Sequence, residues 1–148
     1  MPAVLIDTNV LVYAFDQNDA QRQERALGVL QQLQLSGAGR LSAQSLAEFF
    51  SACTRRLRPP LTDREALDQL ERFSQAYRVL DLNAQVVLEA ARGVRDHQLG
   101  YWDAQVWAMA RLNQIQLVLS GDSSAGTTLE GVRFINPFTA DFDPQAWT

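Results

Sequence analysis

The apolar run Ala3-Val4-Leu5-Ile6 stops at Asp7-Thr8-Asn9, and that junction constrains the fold more than any other feature of the chain. The run reads as a buried strand of a parallel sheet, covered by helices on both faces. A carboxylate directly after such a strand stands outside the carboxyl ends of the strands, where open α/β sheets bind their ligands.

The remaining sequence alternates between the two periodicities. A helix opens near Thr8 or Asn9 and carries Leu11, Tyr13 and Phe15. The spacing predicts a second from about Ala20 to Leu35, with Leu27, Leu30 and Leu33 on its apolar side, stopped by Ser36-Gly37-Ala38-Gly39. Arg40–Ala43 is a short strand candidate. From Gln44 to about Leu57, Leu46, Phe49, Phe50, Cys53 and Leu57 recur with helical period, and Arg58-Pro59-Pro60 ends that helix. Thr62-Asp63-Arg64-Glu65 has the form of a capping box for a helix carrying Leu67, Leu70 and Phe73. Arg78–Leu82 alternates as a strand. Asn83 caps a helix through Val86, Val87, Ala90, Ala91 and Val94, and Asp103–Leu112 forms another. Gln116–Ser120 is a strand running into Gly121-Asp122, and Arg133-Phe134-Ile135 is the last, closed by Asn136-Pro137-Phe138. This order predicts an α/β fold with a mostly parallel central sheet flanked by helices. At 148 residues the chain reads as a single domain over 1–148, with 139–148 a loosely packed tail.

Composition narrows the chemistry. With 47% hydrophobic and 20% charged residues, the chain has a globular profile. No apolar stretch approaches the length of a membrane span, Met1-Pro2 lacks the basic start of a signal peptide, and Cys53 is the single cysteine. A cytoplasmic protein with no membrane association is expected. All 13 basic residues are Arg. The absence of Lys removes P-loop and Schiff-base chemistry. It also counts against the receiver-domain and haloacid-dehalogenase-like families, which place an acid at a strand end but normally need a lysine. One His and one Cys make no zinc ligand set. That histidine, His97, reads as a solvated residue at a helix C-terminus. A net charge of −4 argues against a protein that coats nucleic acid by charge alone. Acids gathered around bound metal would reverse that argument locally.

Glu48, Asp103 and Asp122 each lie where an element end can bring them to the same edge of the sheet as Asp7. Every one has an ordinary alternative. Asp7 can cap a helix, Asp122 can sit in a turn, Asp103 can complement a helix dipole, and Glu48 can pair with Arg55 within its helix. Asp103 shares a stripe with Val106, Trp107 and Ala110, which predicts an inward acid, and an unpaired buried carboxylate is expensive. Taken together, four carboxylates on one side of one sheet read as a divalent-metal site and point to phosphate chemistry. Arg55, Arg56 and Arg58 either contact phosphates or merely complement a helix end. Trp102 and Trp107 either stack on a base or belong to the core. Gly121-Asp122-Ser123 looks like the start of a serine-hydrolase signature, but His97 precedes it and no partner follows.

Five segments in order carry a resemblance: Leu5-Ile6-Asp7-Thr8-Asn9-Val10-Leu11, Ser45-Leu46-Ala47-Glu48-Phe49, Tyr101-Trp102-Asp103-Ala104, Val118–Asp122 and Gly131–Phe138. Together they resemble the PIN-domain family and, within it, the VapC-like toxins of toxin–antitoxin systems. The resemblance implies a three-layer PIN-like fold with an acidic site for Mg²⁺ or Mn²⁺. Asp7 and Asp103 would bind the metal directly, Glu48 and Asp122 directly or through water, with Asn9 and Ser120 in support. It further implies a metal-dependent endoribonuclease that hydrolyses RNA phosphodiester bonds, forms a homodimer and is silenced by a cognate antitoxin. The residues also admit a catalytically silent module that binds antitoxin or RNA, and a small-molecule phosphatase. Gly121 stands where many relatives carry an acid, and Ser123-Ser124-Ala125-Gly126 is smaller and more polar than usual after Asp122.

Overall fold

The computed structural model describes residues 2–121 and 126–145. One sheet contains β1 (Val4–Ile6), β2 (Gly39–Ser42), β3 (Arg78–Leu80), β4 (Leu117–Leu119), β5 (Thr128–Leu129) and β6 (Val132–Ile135) in the order β3-β2-β1-β4-β6-β5. All pairings are parallel except the β5–β6 hairpin. Between the strands run α1 (Thr8–Tyr13), α2 (Ala20–Ser36), α3 (Ala43–Arg55), α4 (Asp63–Ala76), α5 (Ala84–His97) and α6 (Tyr101–Leu112).

The side-chain alternation of β1 divides the core. Val4 and Ile6 join Leu41 and Leu119 beneath α1, α2, α3 and α4, while Leu5 joins Val118 and Phe134 beneath α5 and α6. Both faces of the strand are therefore buried, as its unbroken apolar run requires. The result is a mostly parallel sheet with a helical layer on each side. Because the chain passes from β1 to β2 on one side and later places β4 on the other, the strand order reverses there. A crevice opens at the carboxyl ends of β1 and β4.

Local signals set most element ends. Thr62 and Glu65 exchange both hydrogen bonds of a capping box at α4, and the Asn83 side chain accepts from the Val86 N–H at α5. Gly37 ends α2 in the left-handed region at φ 74°. The packed faces differ from the expected stripes. Leu67 of α4 is about half exposed, and Val87 and Val94 of α5 keep more than a third of their surface exposed. On α5 the buried residues are Val86, Ala90 and Gly93, because this helix lies very close to α6. A Cβ on Gly93 would come within 2.7 Å of the Trp107 ring.

β5 is an element the periodicity missed. It closes a hairpin through Glu130-Gly131, both at positive φ, the backbone a two-residue loop of this kind demands. Helices α5 and α6 hold it: Trp107 Nε1 donates to the Leu129 carbonyl, and Arg92, Arg111 and His97 meet Glu130. His97 is thus not a solvated residue. Its Nε2 lies 2.7 Å from a Glu130 oxygen and its ring packs edge-on to Trp107. Cys53 is fully buried, and burial pushes its thiol up to about 11. Phe142 packs against the core beneath the Arg25 guanidinium, and Gln32 donates to the Pro144 carbonyl. Among the described residues, no helix is long and apolar enough to cross a membrane.

Candidate active site

Asp7 leaves β1 in an extended conformation and becomes the N-cap of α1. One carboxylate oxygen accepts the Thr8 N–H at 2.8 Å, while the other accepts the Ser120 hydroxyl at 2.9 Å, one residue beyond β4. Capping and site placement, alternatives on sequence grounds, are here the work of two oxygens of one side chain. Asn9 extends the same bridge, its Oδ1 accepting the Gly121 N–H at 2.9 Å and its Nδ2 donating to the Ser120 hydroxyl at 3.4 Å. Gly121 has a steric reason: a Cβ there would lie 2.8 Å from the Phe138 ring. A side chain at this position would displace Phe138 from its edge-on contact with Tyr13.

Glu48 on α3 and Asp103 in the first turn of α6 face the same cleft, which measures about 490 Å³. Thr8, Asn9, Tyr13, Gln44, Arg56 and Trp102 also line it. Asp103 is exposed, contrary to its position on the apolar stripe. Burial of α6 begins only at Ala104, so the first turn stands at the cleft and spares the acid the cost of the core. Glu48 takes no part in an ion pair with Arg55 among the described residues. Its Oε1 accepts instead from Gln44 Nε2 at 2.5 Å. Gln44 in turn accepts from Gln105 Nε2, and Gln105 Oε1 accepts the Tyr101 hydroxyl at 2.8 Å. A polar chain therefore runs from α6 to α3 and ends on Glu48. Asp122 lies outside the described residues.

The carboxyl of Asp7 is pushed up to about 6. Burial is the main cause; the hydrogen bonds from Ser120 and Thr8 oppose it, and the charges of Asp103 and Glu48 add to it. The three acids thus act on one another across the cleft. Among the described residues, no three carboxylate, imidazole or thiol groups converge closely enough to grip one ion together. The chemistry of the donors nonetheless suits a hard divalent cation, since the groups at the cleft able to ligate one are carboxylate, hydroxyl and amide oxygens, with no described thiol or imidazole among them. The Thr8 hydroxyl is buried there without a hydrogen-bond partner among the described residues.

Sequence reasoning missed Gln44, Gln105 and Tyr101. The legible signal was Gln105 itself, an amide within Ala104–Ala110, where buried polar groups need partners. It also left the tryptophans and arginines undivided. Trp107 is wholly buried, while Trp102 is 64% exposed at the cleft. Arg58 folds back to donate to the carbonyls of Arg55 and Leu57, whereas Arg56 lines the cleft.

The same fold occurs in solved toxin structures. The chain is 24% identical to VapC20 of Mycobacterium tuberculosis, described as a sarcin–ricin loop cleaving toxin, with a TM-score of 0.65 over 86% of this chain and 98% of that one. It is 18% identical to a chain of the DNA-bound VapBC complex of Salmonella typhimurium, TM-score 0.64, covering 93% and 99%. For VapBC-1 of nontypeable Haemophilus influenzae the values are 14%, 0.57, 93% and 99%. No curated protein sequence gives a significant match. The sequence profile of the PIN domain matches residues 4–126, most of the chain and both strand ends that build the cleft, and the chain belongs to the PIN domain family.

Proposed function

We propose that this PIN-domain protein is a metal-dependent endoribonuclease that hydrolyses RNA phosphodiester bonds, acting as the toxin of a toxin–antitoxin pair. The observation that carries the reading is that Asp7, Glu48 and Asp103 line one cleft at the carboxyl ends of β1 and β4. The Asp7 carboxyl is raised by burial and further by Asp103 and Glu48, and a cation in the cleft would relieve both. Asp7 and Asp103 would hold Mg²⁺ or Mn²⁺ directly, and Glu48 and Asp122 directly or through water. Once bound, the metal lowers the pKa of water and offsets charge on the phosphate. The protein's own part is orientation. Ser120 and Asn9 fix the Asp7 carboxylate against β4, and the Gln44–Gln105–Tyr101 chain aims Glu48.

The solved relatives include a toxin that cleaves the sarcin–ricin loop and toxins in complexes with antitoxins, which supports RNA as substrate and a cognate antitoxin as partner. We assign the whole of 1–148 to one domain and place the protein in the cytoplasm. Exposed Leu27 and Leu35 on α2 and Leu67 on α4 offer an apolar face for a homodimer.

The test is cleavage of a labelled mixed-sequence RNA by protein freed of antitoxin, with Mg²⁺ or Mn²⁺. EDTA and the Asp7→Asn/Asp103→Asn variant should each abolish it. RNA binding without cleavage would make this a silent module, and faster turnover of a chromogenic phosphomonoester would make it a phosphatase.

A further inference from the structure

We propose that Trp102 and Arg56 form a nucleotide subsite beside the carboxylates, in which the indole stacks on an unpaired base and the guanidinium takes an adjoining phosphate. The proposal rests on the nuclease reading and narrows its substrate to RNA with a base free to leave its stack. Trp102 is the unusual residue. Most large apolar side chains of α6 are buried, yet this one is 64% exposed and lines the cleft next to Asp103. Tyr101 packs edge-on to it at 5.2 Å, and the Tyr101 hydroxyl is tied to Gln105. The indole is thereby buttressed without being covered. An aromatic surface held in water at a ligand cleft gains by stacking, and every base presents a face for it. In a duplex those faces are already stacked, which selects single strands, loops and bulges.

Arg56 supplies the charge the cleft otherwise lacks. The carboxylates repel a phosphodiester, so strand entry calls for a cation nearby. Of the three neighbouring arginines, Arg58 is occupied with the carbonyls that end α3. Arg56 is exposed, lines the cleft and makes no salt bridge among the described residues.

The test uses a fluorescein-labelled unstructured RNA, the same sequence as a duplex, and copies with single abasic positions. Anisotropy is read in an Asp7→Asn background with Mg²⁺, which separates binding from cleavage. Trp102→Ala should weaken single-strand binding by about tenfold, and Trp102→Phe should restore most of it. An abasic copy at the stacked position should bind the parent protein as weakly as the intact RNA binds Trp102→Ala. Arg56→Ala should reduce the salt slope by about one counterion. Single-strand binding by Trp102→Ala equal to that of its parent overturns the subsite and leaves the indole to a protein partner. Equal losses on single strand and duplex overturn it as well. In the active protein, EDTA-sensitive cleavage with an unchanged KM in Trp102→Ala would sink the subsite while leaving the nuclease intact. Absence of any RNA cleavage by the parent would instead remove the nuclease reading on which the subsite depends.

Discussion

Two groups of charged side chains lie on this molecule, and they have opposite characters. Around the β5–β6 turn, Glu89, Asp96 and Glu130 are met by Arg92, Arg95 and Arg111, with His97 against Glu130. Arg92 and His97 hold the Glu130 carboxyl down to about 2. At the carboxyl ends of β1 and β4, burial pushes Asp7 up to about 6, and Asp103 and Glu48 push the same way. One cluster has its cations built in and staples a hairpin to two helices. The other gathers like charges around a buried carboxyl where a ligand can enter. A carboxyl raised by burial and by neighbouring carboxylates in a crevice marks a binding site better than acids counted in a sequence, because a cation there would relieve both effects.

The sharpest way to break this contrast is Asp7→Asn. We expect RNA cleavage to fall by on the order of a thousandfold or more, since the substitution removes the carboxylate assigned to the metal. The fold should survive and gain. A carboxyl at about 6 when folded and near 3.8 when unfolded makes the native state bind more protons in that interval. Its cost to stability therefore grows as pH rises through the window and is complete above about 6. In EDTA at pH 8 the variant should be the more stable by on the order of 2 kcal/mol, with the gain vanishing below pH 4, as urea melts will show. A variant less stable at pH 8 would mean that the cap hydrogen bonds outweigh the buried charge. In the wild type, cleavage should rise as Asp7 ionises, and the midpoint should move to lower pH as Mn²⁺ is raised.

Gln105→Leu tests whether Glu48 is aimed by its polar chain. It leaves Gln44 and the Tyr101 hydroxyl without their shared partner. Groups that orient metal-site ligands commonly contribute tenfold or more, so we expect roughly a tenfold loss of kcat and of Mn²⁺ affinity by titration calorimetry. Gln105→Glu should restore less than the original amide, because a carboxylate at this buried position has no hydrogen to donate to Gln44. Unchanged Mn²⁺ affinity would reduce the chain to packing.

The smallest effect belongs to the balanced cluster. Glu130→Gln should lower Tm by a few degrees at neutral pH and leave cleavage unaffected, since exposed pairs contribute little individually. Glu130 lies below its ordinary carboxyl range, so its contribution is present above about 4.5 and lost as pH falls towards 2. Wild type and variant should accordingly converge in acid, read by thermal melts from pH 7 down to pH 2.

Much of the frame was legible in the residues themselves. The Thr62 capping box, the Asn83 cap, the Gly37 stop and the strand ending at Asp7 rest on interactions within a few residues, so local sequence is sufficient to determine them. The alternation of strand and helix made the parallel sheet readable, and the five segments around the acids led to the PIN family. Other decisions depend on partners far apart in sequence. Ser120 reaches Asp7 across 113 positions, and Gln105 reaches Gln44 across 61. No window around either residue contains the other. Asp103 and Trp102 shared the expectations of any first-turn residues beside an apolar stripe, yet the end of α6 stands at the cleft and exposes both. Tertiary structure alone separated Trp102 from Trp107, Arg56 from Arg58 and Asp7 from Glu130. Burial and the sign of neighbouring charge are properties of the assembled surface, whereas the capacity to form a strand, a cap or a carboxylate belongs to the chain.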